Sequence, residues 1–222
     1  MTEVESRSAR ERMVEDQLRA RGIRDERVLS AMARVPRERF VDPAQRERAY
    51  DDAPLPIGYG QTISQPWMVA RMLELGALRP TDRVLDVGAG SGYAAAVAAE
   101  LGREVFAVER IPQLAEAAVE RLRALDCRNV RIAVADGSFG WREYAPYDAI
   151  LVAAGAPSLP PLLLDQLADG GRLVIPVGPR GLQRLSVVTR AGEDYHTHWD
   201  TGCAFVDLLG RFGWGGEGPA RA

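Results

Sequence analysis

The sequence contains no lysine; all 28 basic residues among its 222 are arginine. A Walker loop needs a lysine on the β- and γ-phosphates, and a pyridoxal enzyme needs one for its Schiff base, so both are excluded. A GC-rich coding sequence accounts for the bias. The only cysteines, Cys127 and Cys203, are too few for a disulfide framework or a thiolate metal centre, and they read as buried free thiols. The two histidines, His196 and His198, fall beside a late strand and read as surface residues. No acidic or histidine cluster has metal-ligand spacing, so no metal is expected. No apolar run approaches the roughly 18 residues of a membrane helix. Met1–Arg12 is charged and lacks the apolar stretch of a secretory signal, which leaves the cytoplasm as the default compartment. A net charge of −3 and a pI near 5.6 give no global case for binding nucleic acid.

What is present is ordinary in amount, with 46% hydrophobic and 27% charged residues, but specific in arrangement. Met1–Glu11 reads as frayed and polar. Met13, Val14 and Leu18 start an amphipathic helix that stops at Gly22, and Asp25 caps a second that ends before Pro36. Asp42–Tyr59 holds Pro43, Pro54, Pro56 and Gly58, and reads as a loop. Gln65–Leu75 is helical. From Arg83 the pattern alternates. Strands are expected at Arg83–Val87, Glu104–Val108, Val130–Ala135, Asp148–Ala153 and Arg172–Val177. Helices are expected at Ser91–Leu101, Pro112–Leu125 and Pro160–Leu167. This is the signature of an α/β fold with a doubly wound, mostly parallel, Rossmann-like sheet. Two later runs, Gln183–Thr189 and Ala204–Leu209, read as an antiparallel pair. One domain spans 1–222: an N-terminal helical and substrate-loop segment (1–80), a βαβ core (81–181), C-terminal strands (182–214) and a disordered tail (215–222).

The stretch VLDVGAGSGY, Val84–Tyr93, reads as strand, glycine turn and helix start, and the next apolar run ends in Glu109. Gly88, Gly90 and Gly92 are spaced G-x-G-x-G, one residue tighter than the dinucleotide fingerprint. That spacing resembles the methyltransferases that use S-adenosylmethionine. Ligands of such sheets sit beyond the carboxyl ends of the strands. Asp86, the three glycines, Glu109 and the Asp136–Gly137 pair are therefore the expected donor-binding residues. Glu109 suits the ribose hydroxyls, the free N–H groups at Ser91 suit a carboxylate, and Asp86 and Asp136 place negative charge near a sulfonium.

A closer resemblance lies in Tyr59–Pro66 (YGQTISQP), Met13–Ile23 (MVEDQLRARGI) and Val35–Val41 (VPRERFV). Ala135–Gly140 (ADGSFG), Gly170–Gly178 (GGRLVIPVG) and Phe205–Trp214 (FVDLLGRFGW) extend it. In order and spacing these are similar to the protein-L-isoaspartate O-methyltransferases. The resemblance implies methyl transfer from S-adenosylmethionine to the α-carboxylate of isoaspartyl residues in damaged proteins and peptides, leaving S-adenosylhomocysteine and starting repair through a succinimide. It implies Ser64 as the active-site serine, and Gln61, Thr62, Ile63 and Ser64 along donor and substrate. It also implies Val206 beside the peptide, and a permuted order of the last strands. Ala135, Gly155 and Asp207 depart from the family pattern, where glycine, alanine and proline are usual. An isoaspartyl carboxylate is ionised at neutral pH and needs alignment rather than a base, so no base titrating near neutrality is expected. A monomer without nucleic-acid or membrane partners is the simplest expectation. A tailoring enzyme for one dedicated peptide and a non-catalytic binding module are the competing readings.

Overall fold

A computed structural model describes residues 2–215. Its centre is a seven-stranded sheet built from β3 (Arg83–Val87), β4 (Glu104–Glu109), β5 (Val130–Val134), β6 (Tyr147–Val152), β7 (Leu167–Val177), β8 (Gln183–Ala191) and β9 (Asp194–Cys203). The order is β5-β4-β3-β6-β7-β8-β9. β3 to β7 pair in parallel, and β8 and β9 pair antiparallel to their neighbours. The chain steps outward from β3 through β4 to β5, then returns to the other side of β3 as β6. Such a reversal opens a crevice at the carboxyl ends of the central strands.

Both faces of the sheet are covered, so its central strands are apolar throughout rather than alternating. Val84, Val105, Ala107, Ala149, Leu151 and Val174 share one core with the N-terminal helices. Leu85, Val87, Phe106, Val108, Ile150 and Val152 share another with Leu163 and Leu167, on the opposite face. Asp86 alternates onto the first face, which makes it a carboxylate in an apolar layer.

The N-terminal segment differs from the sequence expectation at two places. Glu3–Arg12 forms helix α1, opened by a capping box in which Thr2 and Glu5 satisfy each other's backbone N–H. It continues as a π-helical stretch, Met13–Arg19, that buries Met13, Val14 and Leu18. The region read as loop contains a 3-10 turn at Pro43–Arg48 and strand β1 (Leu55–Gly58). β1 is paired with β2 (Gln61–Ile63) in a hairpin. Tyr59 and Gly60, both at positive φ, close that hairpin. Helices α2 (Glu26–Arg34), capped by Asp25, and α3 (Pro66–Gly76) lie where expected. So do α4 (Tyr93–Ala99) and α5 (Pro112–Ala124).

Two further corrections fall late in the chain. The helix expected at Pro160–Leu167 is a single turn, α6 (Pro161–Leu164), because Leu167 already belongs to β7. The partner of β8 is Asp194–Cys203 rather than Ala204–Leu209. β9 is an exposed edge strand of polar residues, so it lacks the apolar run that marks a buried one. Phe205–Leu208 instead folds back over the sheet, where Gly155 N donates to Val206 O and Leu208 N donates to Gly155 O, each at 2.8 Å. Of the expected disordered tail, 216–222 lies outside the described residues.

Candidate active site

The crevice at the carboxyl ends of β3, β4 and β6 holds a cavity of about 430 Å³. Its floor is the glycine turn. Gly88 N (2.8 Å) and Ala89 N (3.2 Å) both donate to Val108 O, which ties the turn to β4. Gly88, Gly90 and Gly92 all have positive φ, a backbone that only glycine adopts without strain.

Glu109, at the end of β4, is buried. Its two carboxylate oxygens accept from Gly90 N at 2.8 Å and Ile111 N at 2.9 Å. The carboxylate is thereby aimed at the turn, with further lone pairs left for a ligand. Asp86 is 1% exposed and neither of its oxygens has a hydrogen-bond partner among the described residues. Burial, and then the charge of Glu109, push its pKa up to about 7.

The hairpin supplies the wall. Ile57 packs over the turn, its Cδ1 3.2 Å from where a Cβ on Gly90 would stand. This sets Gln61, Thr62, Ile63 and Ser64 along the same cavity as Gly88, Gly90, Glu109 and Gly137. Ser64 follows β2 and precedes α3. Its carbonyl accepts from Arg37 Nη2 at 2.9 Å, and its hydroxyl has no protein partner among the described residues. Val206, Asp207 and Leu208 close the opposite side.

Two expected donor-site residues, Gly92 and Asp136, are not among the cavity's lining residues and have contacts within the fold. Gly92 does not line the cavity; a Cβ there would stand 3.1 Å from Ala118 Cβ, so its role is to let α5 pack against the turn. Asp136 is turned away as well. It accepts from Ser138 N and Oγ and from Arg211 N, and so fastens the C-terminal segment. Both sit at strand or helix ends, where sequence position alone does not distinguish a ligand group from a cap. The departures at Gly155 and Asp207 have structural partners. An alanine at 155 would meet Gln183 Nε2 at 2.7 Å. Asp207 accepts from Arg180 Nε at 2.7 Å.

Sequence reasoning did not single out Tyr59, Ile57 or Ile111, which also line the cavity. Isolated apolar residues in a loop give no periodic signal. His196 and His198 are exposed on β9, away from the cavity lining. Both cysteines are free, and half-buried rather than fully buried.

The family described as protein-L-isoaspartate(D-aspartate) O-methyltransferase matches residues 8–213. The chain belongs to this family. It is 53% identical to protein-L-isoaspartate O-methyltransferase 1 of Syntrophobacter fumaroxidans over 94% of this chain and 97% of that one. It is 55% identical to protein-L-isoaspartate O-methyltransferase 2 of Pelobacter propionicus over 92% of each chain. A solved structure from Plasmodium falciparum superposes with a TM-score of 0.79 at 29% identity, over 90% of this chain and 98% of that one. It is described as a putative protein-L-isoaspartate O-methyltransferase in complex with S-adenosyl-L-homocysteine. For this isoaspartate methyltransferase family member, the glycine turn and the Gln61–Ser64 segment face each other across one cavity.

Proposed function

We propose that this protein transfers a methyl group from S-adenosylmethionine to the free α-carboxylate of L-isoaspartyl residues in damaged proteins. The observation that carries the reading is the joint one just described: a glycine turn with a buried acid pair and a serine segment line one cavity, in a chain that matches this family nearly end to end.

The residues present fit the donor. Glu109 is preset by Gly90 and Ile111 and has lone pairs left for two ribose hydroxyls. Asp86, buried without a partner, suits a ligand that brings its own positive charge. When bound, S-adenosylmethionine supplies a methyl group on a cationic sulfur; the acceptor oxygen forms the new C–O bond as the C–S bond breaks, and both charges disappear.

The chain's own task is therefore alignment. With a pKa of about 3.3–3.9 the acceptor carboxylate is already ionised, and no group has to remove a proton. Holding donor and acceptor in line contributes up to roughly 7–11 kcal/mol. Ser64 donates its unengaged hydroxyl to the acceptor carboxylate, while Ile63 and Val206 flank the peptide. In the released ester the following backbone nitrogen attacks the ester carbonyl, the new C–N bond closing a succinimide as methanol leaves with the N–H proton, and the succinimide hydrolyses in part to normal aspartate.

A methyl-transfer assay on paired peptides that differ only in an isoaspartyl or aspartyl linkage tests this. Transfer to the isoaspartyl member alone is expected. Equal transfer to both, or to neither, overturns the assignment.

A further inference from the structure

Among the described residues, Arg37 is the largest side chain with no exposed surface. Burying a guanidinium costs several kcal/mol unless it is paired, yet it makes no ion pair with a carboxylate among the described residues. Its partners are neutral. Nε donates to Ala49 O at 2.7 Å and Nη2 to Ser64 O at 2.9 Å, and the guanidinium lies over the Tyr93 ring with Cζ 4.9 Å from its centre. Nη1 has no partner. Burial accordingly pulls its pKa below the usual arginine value.

What this costly cation joins is informative. Ser64 stands on the acceptor side of the cavity. Tyr93 is the first residue of α4, directly after the glycine turn, and it lines the same cavity. Ala49 ends the 3-10 turn that precedes the hairpin. Apart from this contact, the described residues show the Ser64 backbone outside both β2 and α3, with no ladder to hold it.

We propose that Arg37 is the positioning residue of the acceptor site: by clamping the Ser64 carbonyl against the Tyr93 ring, it fixes the distance between the serine hydroxyl and the donor turn. This rests on the reading of Ser64 given above. Arginine is suited to the task because its planar fork can donate to two carbonyls and stack on a ring at once. A lysine ammonium is a compact point charge without the planar fork, so it cannot reproduce this combination of two bonds and a stacked face.

The test is a double-mutant cycle between Arg37 and Ser64, with active sites counted by the stoichiometry of S-adenosylhomocysteine binding. Arg37→Met should lower kcat/KM on an isoaspartyl peptide by about 10- to 100-fold, with Kd for S-adenosylhomocysteine changed less than about 3-fold. Arg37→Lys should recover part of the loss. In the Ser64→Ala background, Arg37→Met should cost less than about 3-fold, because the hydroxyl it positions is gone. Losses that multiply in full in the double variant overturn the proposal. So does Arg37→Met with parental kinetics, and so does failure of both Arg37 variants to bind S-adenosylhomocysteine, which would make the residue one of folding alone. A parent chain inactive on isoaspartyl peptides would instead remove the functional reading beneath it.

Discussion

At the scale of single residues, the roles proposed for Ser64 and Asp86 can each be separated from a structural one. A hydrogen bond to a charged group is worth roughly 1.5–3 kcal/mol, so Ser64→Ala should lower kcat about 10- to 150-fold while donor affinity and melting temperature barely move. A lowered melting temperature with parental kcat would leave Ser64 structural. For Asp86 the sign follows from its raised pKa. The folded, ligand-free chain holds this proton more tightly than the unfolded chain, whose carboxyl titrates near 3.8. The stability so contributed is complete below about pH 4 and is lost as pH rises through about 7, a change of roughly 4 kcal/mol. Denaturant melts at pH 5 and pH 8 should show roughly 2–3 kcal/mol of that loss in the parent, the rest having gone below pH 5, and none of it in Asp86→Asn, the difference between the two cancelling the other carboxylates. A cationic donor favours the ionised form. Its Kd should therefore tighten up to about pH 7, while that of the uncharged-sulfur product changes less. Equal pH dependence for both ligands would remove Asp86 from the sulfonium.

At the scale of elements, the glycine turn divides into a ligand-facing and a packing-facing part. Gly90 faces the cavity, and a methyl there would press on the flexible end of Ile57. Gly92 faces α5, and a methyl there would stand 3.1 Å from Ala118 Cβ, at φ +89°. Strain and overpacking at such a position cost about 1–3 kcal/mol each. Gly92→Ala should thus lower the melting temperature with donor Kd little changed, whereas Gly90→Ala, also at positive φ, should weaken donor Kd as well as lower the melting temperature. Calorimetry and thermal melts on both variants decide it. The same distinction explains what was legible in the sequence. β3, β4 and β6 were readable because burial on both faces makes them continuous apolar runs, and Glu109 because a carboxylate ends one of them. The packing contact of Gly92 and the capping bonds of Asp136 were not legible, because packing and capping use the same residue types as ligand binding. The β1–β2 hairpin was hidden by its prolines and by Tyr59, an unusual residue at positive φ. Helix α1 was hidden by its polarity, although Thr2 and Glu5 have capping-box spacing.

The whole molecule is expected to respond to the donor site as one unit. The cavity is walled by the N-terminal hairpin, floored by the parallel core and closed by Val206–Leu208, so its ligand touches all three parts of the chain. A ligand that binds only the folded state stabilises it by about 2.7 kcal/mol at one hundred times its Kd. For a domain of this size that corresponds to a rise of roughly 5–10 °C in melting temperature. S-adenosylhomocysteine should produce that rise in a single transition, and NAD should produce none. Two transitions, only the later shifted, would separate the first 80 residues from the core and argue against one cooperative domain. The same preparation bears on the mechanism, because an acceptor that is ionised before it binds needs no Lewis acid to activate it. Methyl transfer should therefore proceed at the same rate after exhaustive treatment with EDTA. Loss of activity on chelation, restored by magnesium, would mean that alignment alone does not bring the carboxylate to the methyl group.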